Sequence, residues 1–303
     1  AMAIAKKAGF EKIVTFDMGG TSTDVAHFAG QLERQHEQTI GGIRFTAPGL
    51  RIHTVAAGGG SILSFDGSRL RVGPESAGAD PGPLCYRRGG PLTVTDANLL
   101  LGRIQPRFFP CTFGKKGNEP LDLGSVQQAF EHLAEAIHQK TGIHKTGWQL
   151  AEDALEIATE QMALAIQAVS IQRGFDLRED YTLIAYGGAG GQHACRIAER
   201  LGIRRILIHP LAGVLSALGI GLSETRRILE KTICQPISPE LIQALSGEVE
   251  ALTTQAGKAH NNLDPNARRY HAEVAVRYEG SDHPLSLELT PVSYTHLTLP
   301  TKA

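Results

Sequence analysis

Apolar residues near the start of the chain come in two short runs, Ile13 to Phe16 and Val25 to Phe28, on either side of Asp17-Met18-Gly19-Gly20-Thr21-Ser22-Thr23-Asp24. Runs of that length, broken by a glycine pair, predict two strands joined as a hairpin. Residues 1–9, AMAIAKKAG, read as the last turns of a helix stopped by Gly9, with its beginning expected upstream. From Gly124 the period changes, and Val126, Phe130, Leu133 and Ile137 paint one stripe of a helix that ends near Gly142. A second helix is predicted over Leu150 to Arg173, with Leu155, Met162, Ile166 and Val169 inward and Gly174 as its stop. Tyr181 to Tyr186 predicts a strand, His193 to Leu201 a helix and Arg205 to Ile208 a second strand, which together make a β-α-β unit. Leu211 to Glu224 reads as a helix packed on that unit.

Beyond Cys234 the texture changes to a helix within 239–259, a polar break at Asn261-Asn262 and a hairpin of Glu273–Tyr278 and Leu285–Leu289 around Gly280. The class is therefore α/β. The expected organisation is a large domain over 1–234, a truncated C-terminal domain over 235–291 and a non-native tail over 292–303 that continues no pattern.

Between these elements lie stretches of glycine and proline. Gly58-Gly59-Gly60 follows an apolar run and suggests either close backbone approach to a ligand or a tight bend at a strand end, the second being the commoner meaning. Val72 to Tyr86, crowded with glycine and proline, reads as a long ordered loop, and loops of that length are usually functional. Its polar contents are Glu75, Ser76, Asp80 and Cys85; nothing marks Cys85 as an activated nucleophile.

Two of the glycine stretches carry candidate chemistry. In the Gly19-Gly20 turn, bare backbone can approach an anion while Thr21, Ser22 and Thr23 add donors, and Asp17 and Asp24 flank it as candidate Mg2+ ligands. An ordinary Gly-Gly hairpin turn fits the same spacing. Gly187-Gly188-Ala189-Gly190-Gly191 joins a strand to a helix and aims a helix N-terminus at an anionic guest. A dinucleotide fingerprint is disfavoured, because its third glycine falls on His193 and the second strand ends in His209-Pro210 rather than an acid. His193 either contacts the nucleotide or caps the helix.

Charge narrows the partners: 30 basic against 31 acidic residues, net -1, supply no electrostatic reason to bind nucleic acid or an anionic membrane. Cys85, Cys111, Cys195 and Cys234 are scattered without metal or disulfide spacing, which points to a reducing, cytoplasmic setting. No apolar run reaches the roughly 20 residues of a membrane-spanning helix.

Taken in order, Phe16-Asp-Met-Gly-Gly-Thr-Ser-Thr-Asp24, Thr54-Val-Ala-Ala-Gly-Gly-Gly-Ser61, Val72 to Tyr86, Gly89 to Asn98 and Tyr186-Gly-Gly-Ala-Gly-Gly-Gln-His-Ala194 resemble the ATP-dependent 5-oxoprolinase and hydantoinase A family over about residues 1–290. The middle motifs look most like 5-oxoprolinase. The resemblance implies an actin-like (ribonuclease H-like) ATPase lobe, with a partner N-terminal lobe and a hydrolase portion outside this chain. It further implies ATP and Mg2+ as cofactors, with a monovalent cation as a further candidate, a small lactam substrate and a homo-oligomer. By resemblance Asp17, Asp24 and Thr21 are catalytic, with the two acids on the metal. Gly19, Gly20, Thr21 and Thr23 bind phosphate, and Gly187, Gly188, Gly190 and Gly191 lie near the adenosine. Glu75, Ser76 and Asp80 are candidates for substrate contact. The implied reaction is phosphorylation of the lactam oxygen of 5-oxoproline followed by hydrolysis to glutamate. A hydantoinase-type lactamase and a non-catalytic nucleotide-binding module are the alternatives.

Overall fold

The computed structural model describes residues 1–40, 43–223, 227–258, 268–281 and 285–289. The expected polar break at 261–262 and the tail at 292–303 lie outside the described residues. The chain forms two compact units, Ala1–Ser223 and Glu224–Ala303.

The first unit runs α1 (Met2–Lys7), β1 (Lys12–Met18), β2 (Thr23–Ala29), β3 (Gln31–Leu32), β4 (Arg34–Ile40), β5 (Ile43–Leu50), β6 (His53–Val55), β7 (Ser61–Phe65) and β8 (Leu70–Ser76). It continues through α2 (Val94–Leu100), α3 (Leu123–Thr141), α4 (Gly147–Val169), β9 (Thr182–Tyr186), α5 (Gly190–Leu201), β10 (Arg205–Leu207) and α6 (Leu215–Gly221). The second unit holds α7 (Pro239–Lys258) and the antiparallel pair β11 (Glu273–Val276) and β12 (Leu285–Glu288), the hairpin expected around Gly280. Among the described residues no helix is long and apolar enough to cross a membrane.

The main sheet has the order β10-β9-β1-β2-β3, with β6 also on β2. β1 and β2 are antiparallel, whereas β9 and β10 run parallel to β1. Being central and covered on both faces, β9 is buried along Thr182–Ala185, which accounts for its unbroken run of β-formers. Phe16 and Met18 of β1 and Val25 of β2 enter the same core as Phe130 of α3 and Leu155, Met162 and Ile166 of α4. α4 contacts α2, α3 and α5 as well as β2, β6 and β8, so one helix backs the whole site-bearing edge.

Four boundaries differ from the sequence reading. α4 starts at Gly147 rather than Leu150, because Thr146 and Gln149 close a reciprocal capping box. It ends at Val169, where the Ser170 hydroxyl turns back to the Ile166 carbonyl (2.5 Å) and the chain passes into a 3-10 turn before Gly174. α5 starts at Gly190, three residues ahead of His193. The helix expected over Leu211–Glu224 contracts to α6, in which Leu215 alone is buried. In addition, the first part of the stretch taken for a loop, through Ser76, is strand β8.

α2 ties the site loops together. At its start Thr93 and Asp96 form a capping box, and the buried Asp96 carboxylate accepts from the backbone N–H of Thr93 (2.8 Å), Leu84 (3.1 Å) and Cys85 (2.8 Å). Thr95 donates both its N–H and its hydroxyl to the Gly59 carbonyl, each at 2.8 Å. Asn98 Nδ2 donates to Val94 O (3.1 Å) and reaches Nε2 of the buried His193 on α5 (3.2 Å). Burial, followed by the charges of Arg103 and Arg196, lowers the His193 pKa to about 4, so the ring is neutral.

The triple glycine lies against the hairpin turn itself. Gly59 N–H donates to Gly19 O (3.0 Å), Gly60 N–H to Gly20 O (2.6 Å) and the Thr23 hydroxyl to Ala57 O (2.5 Å). A Cβ on Gly58 would stand 2.7 Å from the Gly20 and Thr21 backbone, whereas one on Gly20 would meet nothing within 4 Å. Gly58→Ala should therefore cost about 1–3 kcal/mol in urea unfolding, while Gly20→Ala should leave the midpoint nearly unchanged.

For His193 the depressed pKa favours the neutral ring in the fold. Its stabilisation is full above pH 6.5 and is lost as pH falls towards about 4, on the order of 3 kcal/mol. His193→Gln should flatten unfolding free energy against pH in that window.

Candidate active site

The site gathers at the carboxyl ends of the parallel strands β1 and β9, where the β1–β2 turn also lies. Asp17 stands directly opposite Asp24 across β1–β2 and beside Tyr186 of β9. Directly paired residues share a face of the pleat, so two carboxylates project side by side. Asp17 Oδ2 accepts from the Ser216 hydroxyl (2.9 Å), and Asp24 Oδ1 accepts from the Thr54 hydroxyl (2.5 Å). The Asp17 pKa is raised, first by burial and further by the charge of Asp24, against the opposing Ser216 hydrogen bond and the amine of Ala1. Burial and the Asp17 charge push the neighbouring Tyr186 phenol up to about 12, which keeps it protonated.

The turn between the acids has a definite polarity. Gly19 and Gly20 direct their carbonyls to the N–H groups of Gly59 and Gly60. In a trans peptide the C=O and the following N–H point in opposite directions, so the N–H groups of Gly20 and Thr21 face away from the glycine arm. A Cβ at Gly19 would meet only Ser22 O at 4.0 Å. No protein neighbour requires glycine at 19 or 20; a ligand pressed against the backbone would.

Thr21 is exposed at this turn. Thr23, predicted as a phosphate ligand, is fully buried with its hydroxyl on Ala57 O, so it fastens the glycine arm instead.

The second glycine loop abuts the same acid. Gly187 has φ +82°, and a Cβ there would lie 2.3 Å from Met18 O and 2.6 Å from Asp17 Oδ1. Its N–H donates to Ala212 O and that of Ala189 to Met18 O, both at 3.0 Å. A Cβ on Gly190 would make an ordinary contact with Phe16 O (3.6 Å), while Gly188 and Gly191 face open space. No side chain caps the first turn of α5. His193 has neither of its expected roles: it is buried inside α5 against Asn98.

A cleft of about 480 Å³ opens from the turn, walled by Gly20, Thr21, Gly60, Tyr86, Arg88 and Thr95 among others. Of the loop residues nominated from sequence, Glu75 and Asp80 are exposed elsewhere, and the Ser76 hydroxyl accepts from Gly78 N–H (3.2 Å). The part of the loop that does reach the cleft is Gly78, Ala79, Pro83 and Tyr86, with Arg88 two residues beyond it. Cys85 is buried, and burial followed by Asp96 pushes its thiol far up, which rules out a ready thiolate. Among the described residues no three His, Cys, Asp or Glu side chains converge as a metal site. Asp17 and Asp24 form a two-carboxylate donor set, which suits a hydrated Mg2+ that completes its shell with phosphate oxygens and water.

Sequence reasoning missed Thr54, Thr95, Arg88 and Ser216. Thr54 precedes the glycine arm by a few residues and was open to notice. Ser216 bonds a residue 199 positions away, for which no local signal exists.

Comparison with known proteins gives the family and the fold. The model of the hydantoinase/oxoprolinase family matches residues 1–229. A "5-oxoprolinase" of Dictyostelium discoideum is 47% identical over 218 residues, 71% of this chain and 17% of that protein. The solved structure of an ATP-dependent caprolactamase from Pseudomonas jessenii is 31% identical with a TM-score of 0.76, covering 98% of this chain and 43% of that one. Nucleotide-free acetone carboxylase, at 20% identity and a TM-score of 0.68, covers 97% of this chain and 43% of that one and shares the fold. The chain is thus an α/β protein of the actin-like ATPase type that spans less than half the length of each of these relatives, and it belongs to the hydantoinase/oxoprolinase family.

Proposed function

We propose that this chain forms the phosphate-binding part of an ATP-dependent 5-oxoprolinase. The observation that carries the reading is the β1–β2 turn, whose carbonyls are tied inward and whose N–H groups face outward between the opposed Asp17 and Asp24. Relatives named 5-oxoprolinase support the substrate.

In the proposed reaction the lactam oxygen attacks the γ-phosphorus of ATP, the bond to the β-bridging oxygen breaks and ADP departs. Two waters are then consumed as the ring C–N bond breaks and the phosphoryl group is released, giving glutamate and phosphate. Phosphoryl transfer requires positioning and charge neutralisation more than a protein nucleophile, and the site has that character. The N–H groups of Gly20 and Thr21 and the Thr21 hydroxyl hold phosphate oxygens, and Gly187 to Gly191 lie beside the rest of the nucleotide. Asp17 and Asp24 would hold Mg2+, which when bound neutralises the charge shared by the phosphates. Ser216 and Thr54 keep the two carboxylates oriented. Tyr186, protonated and adjacent, adds no third negative charge.

The hydrolytic step and the facing side of the nucleotide cleft are assigned to portions of the longer protein. Four free cysteines accord with a cytoplasmic setting. A second reading, action on another cyclic amide, is favoured by the caprolactamase neighbour.

Asp17→Asn should lower ATP cleavage by on the order of 100-fold or more in a coupled ADP assay. The sign of its effect on stability is opposite. A carboxyl pKa raised by folding contributes stability below the unfolded value of 3.8 and loses it as pH rises through the folded value. The variant should therefore melt higher than wild type at pH 7, with the gap closing near pH 3.8. Offered 5-oxoproline, hydantoin and caprolactam side by side, the full-length enzyme that carries this chain should release ADP fastest with 5-oxoproline and yield glutamate; faster release with either other lactam selects the second reading.

A further inference from the structure

We propose that Arg88 anchors the carboxylate of the lactam substrate and so selects carboxylate-bearing cyclic amides over uncharged ones. This rests on the reading of the protein as a lactam-phosphorylating enzyme and adds the recognition element of its substrate.

The wall of the 480 Å³ cleft contains no Asp or Glu, and Arg88 is its one cation among the described residues. The cleft therefore favours an anion. The phosphate turn lines the same cleft through Gly20 and Thr21.

The preceding arginine shows that this is a particular placement. Arg87, held at φ 61°, turns away and donates from Nε to Pro120 O (2.8 Å) while pairing with Asp122 (2.9 Å). Arg88, next in the chain, has no ion pair among the described residues and faces the cleft. Its charge is felt by the Tyr86 phenol, whose pKa burial raises and Arg88 opposes.

The rings of Tyr86 and Phe113, 4.6 Å apart, give the same cleft an apolar side. A small ring bearing a carboxylate fits this arrangement: the charge on Arg88, the ring against the two aromatics and the lactam oxygen towards the turn where the γ-phosphate is proposed to lie. A guanidinium suits a planar carboxylate because it can donate two parallel hydrogen bonds.

The loop is also preorganised for the task. Gly90 packs so closely on Gly82 that an added Cβ would lie 1.8 Å from its carbonyl oxygen. Leu84 N–H bonds Pro91 O (3.0 Å), Gly114 N–H bonds Tyr86 O (3.0 Å), and Asp96 holds Leu84 and Cys85 from beneath. Arg88 thus stands on a short bridge pinned on both sides, so ordering it against a ligand costs little backbone entropy.

The test is steady-state ADP release by the full-length enzyme that carries this chain, with 5-oxoproline and with 2-pyrrolidinone, the same ring without the carboxylate, for wild type, Arg88→Gln and Arg88→Lys. Arg88→Gln should raise KM for 5-oxoproline by at least about 10-fold, far more than KM for ATP, and the preference for 5-oxoproline over 2-pyrrolidinone should collapse by a similar factor. Arg88→Lys, which keeps the charge without the fork, should fall between. If Arg88→Gln weakens ATP as much as 5-oxoproline, Arg88 is a phosphate ligand and the proposal is overturned. Turnover of 5-oxoproline with an unchanged preference ratio overturns the Arg88 assignment and leaves the proposed function standing. Wild type that cleaves ATP with another lactam but not with 5-oxoproline removes both. Should Arg88→Gln fail to fold, Arg88→Lys decides: an unchanged 5-oxoproline KM in that variant overturns the proposal.

Discussion

The site depends on a contact between two stretches of bare backbone. Gly58–Gly60 lies on Gly19–Gly20 so closely that N–H groups of the arm reach carbonyls of the turn at 3.0 and 2.6 Å. Such an approach requires glycine on the arm, since a Cβ on Gly58 or Gly60 would stand 2.7 or 2.9 Å from the backbone of the turn. It also polarises the turn, because engaging its carbonyls from one side leaves the next N–H groups on the other. The same hydrogen bonds that fix the local structure therefore create a surface of donors that suits phosphate.

Around that contact the fold spends stability on the arrangement of charge. Asp17 and Asp24 are held opposite one another, and Asp17 is partly buried as well, so its ionised form is disfavoured in the free protein. Paired acids in this condition gain from a bound cation, and the proposed Mg2+ fits that need. Ser216 and Thr54 supply the hydrogen bonds that keep the carboxylates in place, each from an element that sequence order puts far from the turn.

The loops are not independent. α2, a helix of seven residues, carries Thr95 to the glycine arm, Asp96 to the Leu84–Cys85 turn and Asn98 to His193 behind the second glycine loop. Three positions within one turn of this short helix, Thr95, Asp96 and Asn98, thereby set the spacing between turn, cleft wall and α5. Buried polar groups of this kind are costly when unpaired, and their directional bonds hold one arrangement in preference to others.

Much of the fold was legible in the sequence because its causes are local. Short runs of strand formers located β1, β2 and β9, period-3.6 patterning located α3 and α4, and Gly142 marked the end of α3, since side-chain spacing and backbone freedom act within a few residues. The Gly19-Gly20 turn between Asp17 and Asp24 was likewise visible as a candidate for phosphate. What the sequence alone left open was the partner of each polar group. Thr23 and Thr21 are alike in composition and neighbours in the turn, yet one is buried on Ala57 and the other exposed. The triple glycine proved to need its small size for the turn rather than for a ligand, and His193 for Asn98 rather than for a nucleotide. Arg87 and Arg88 are identical adjacent residues with opposite surroundings. Local patterning determined which segments become strand, helix and turn; only the tertiary structure decided which side chains face the cleft, because that follows from contacts between segments tens to hundreds of residues apart.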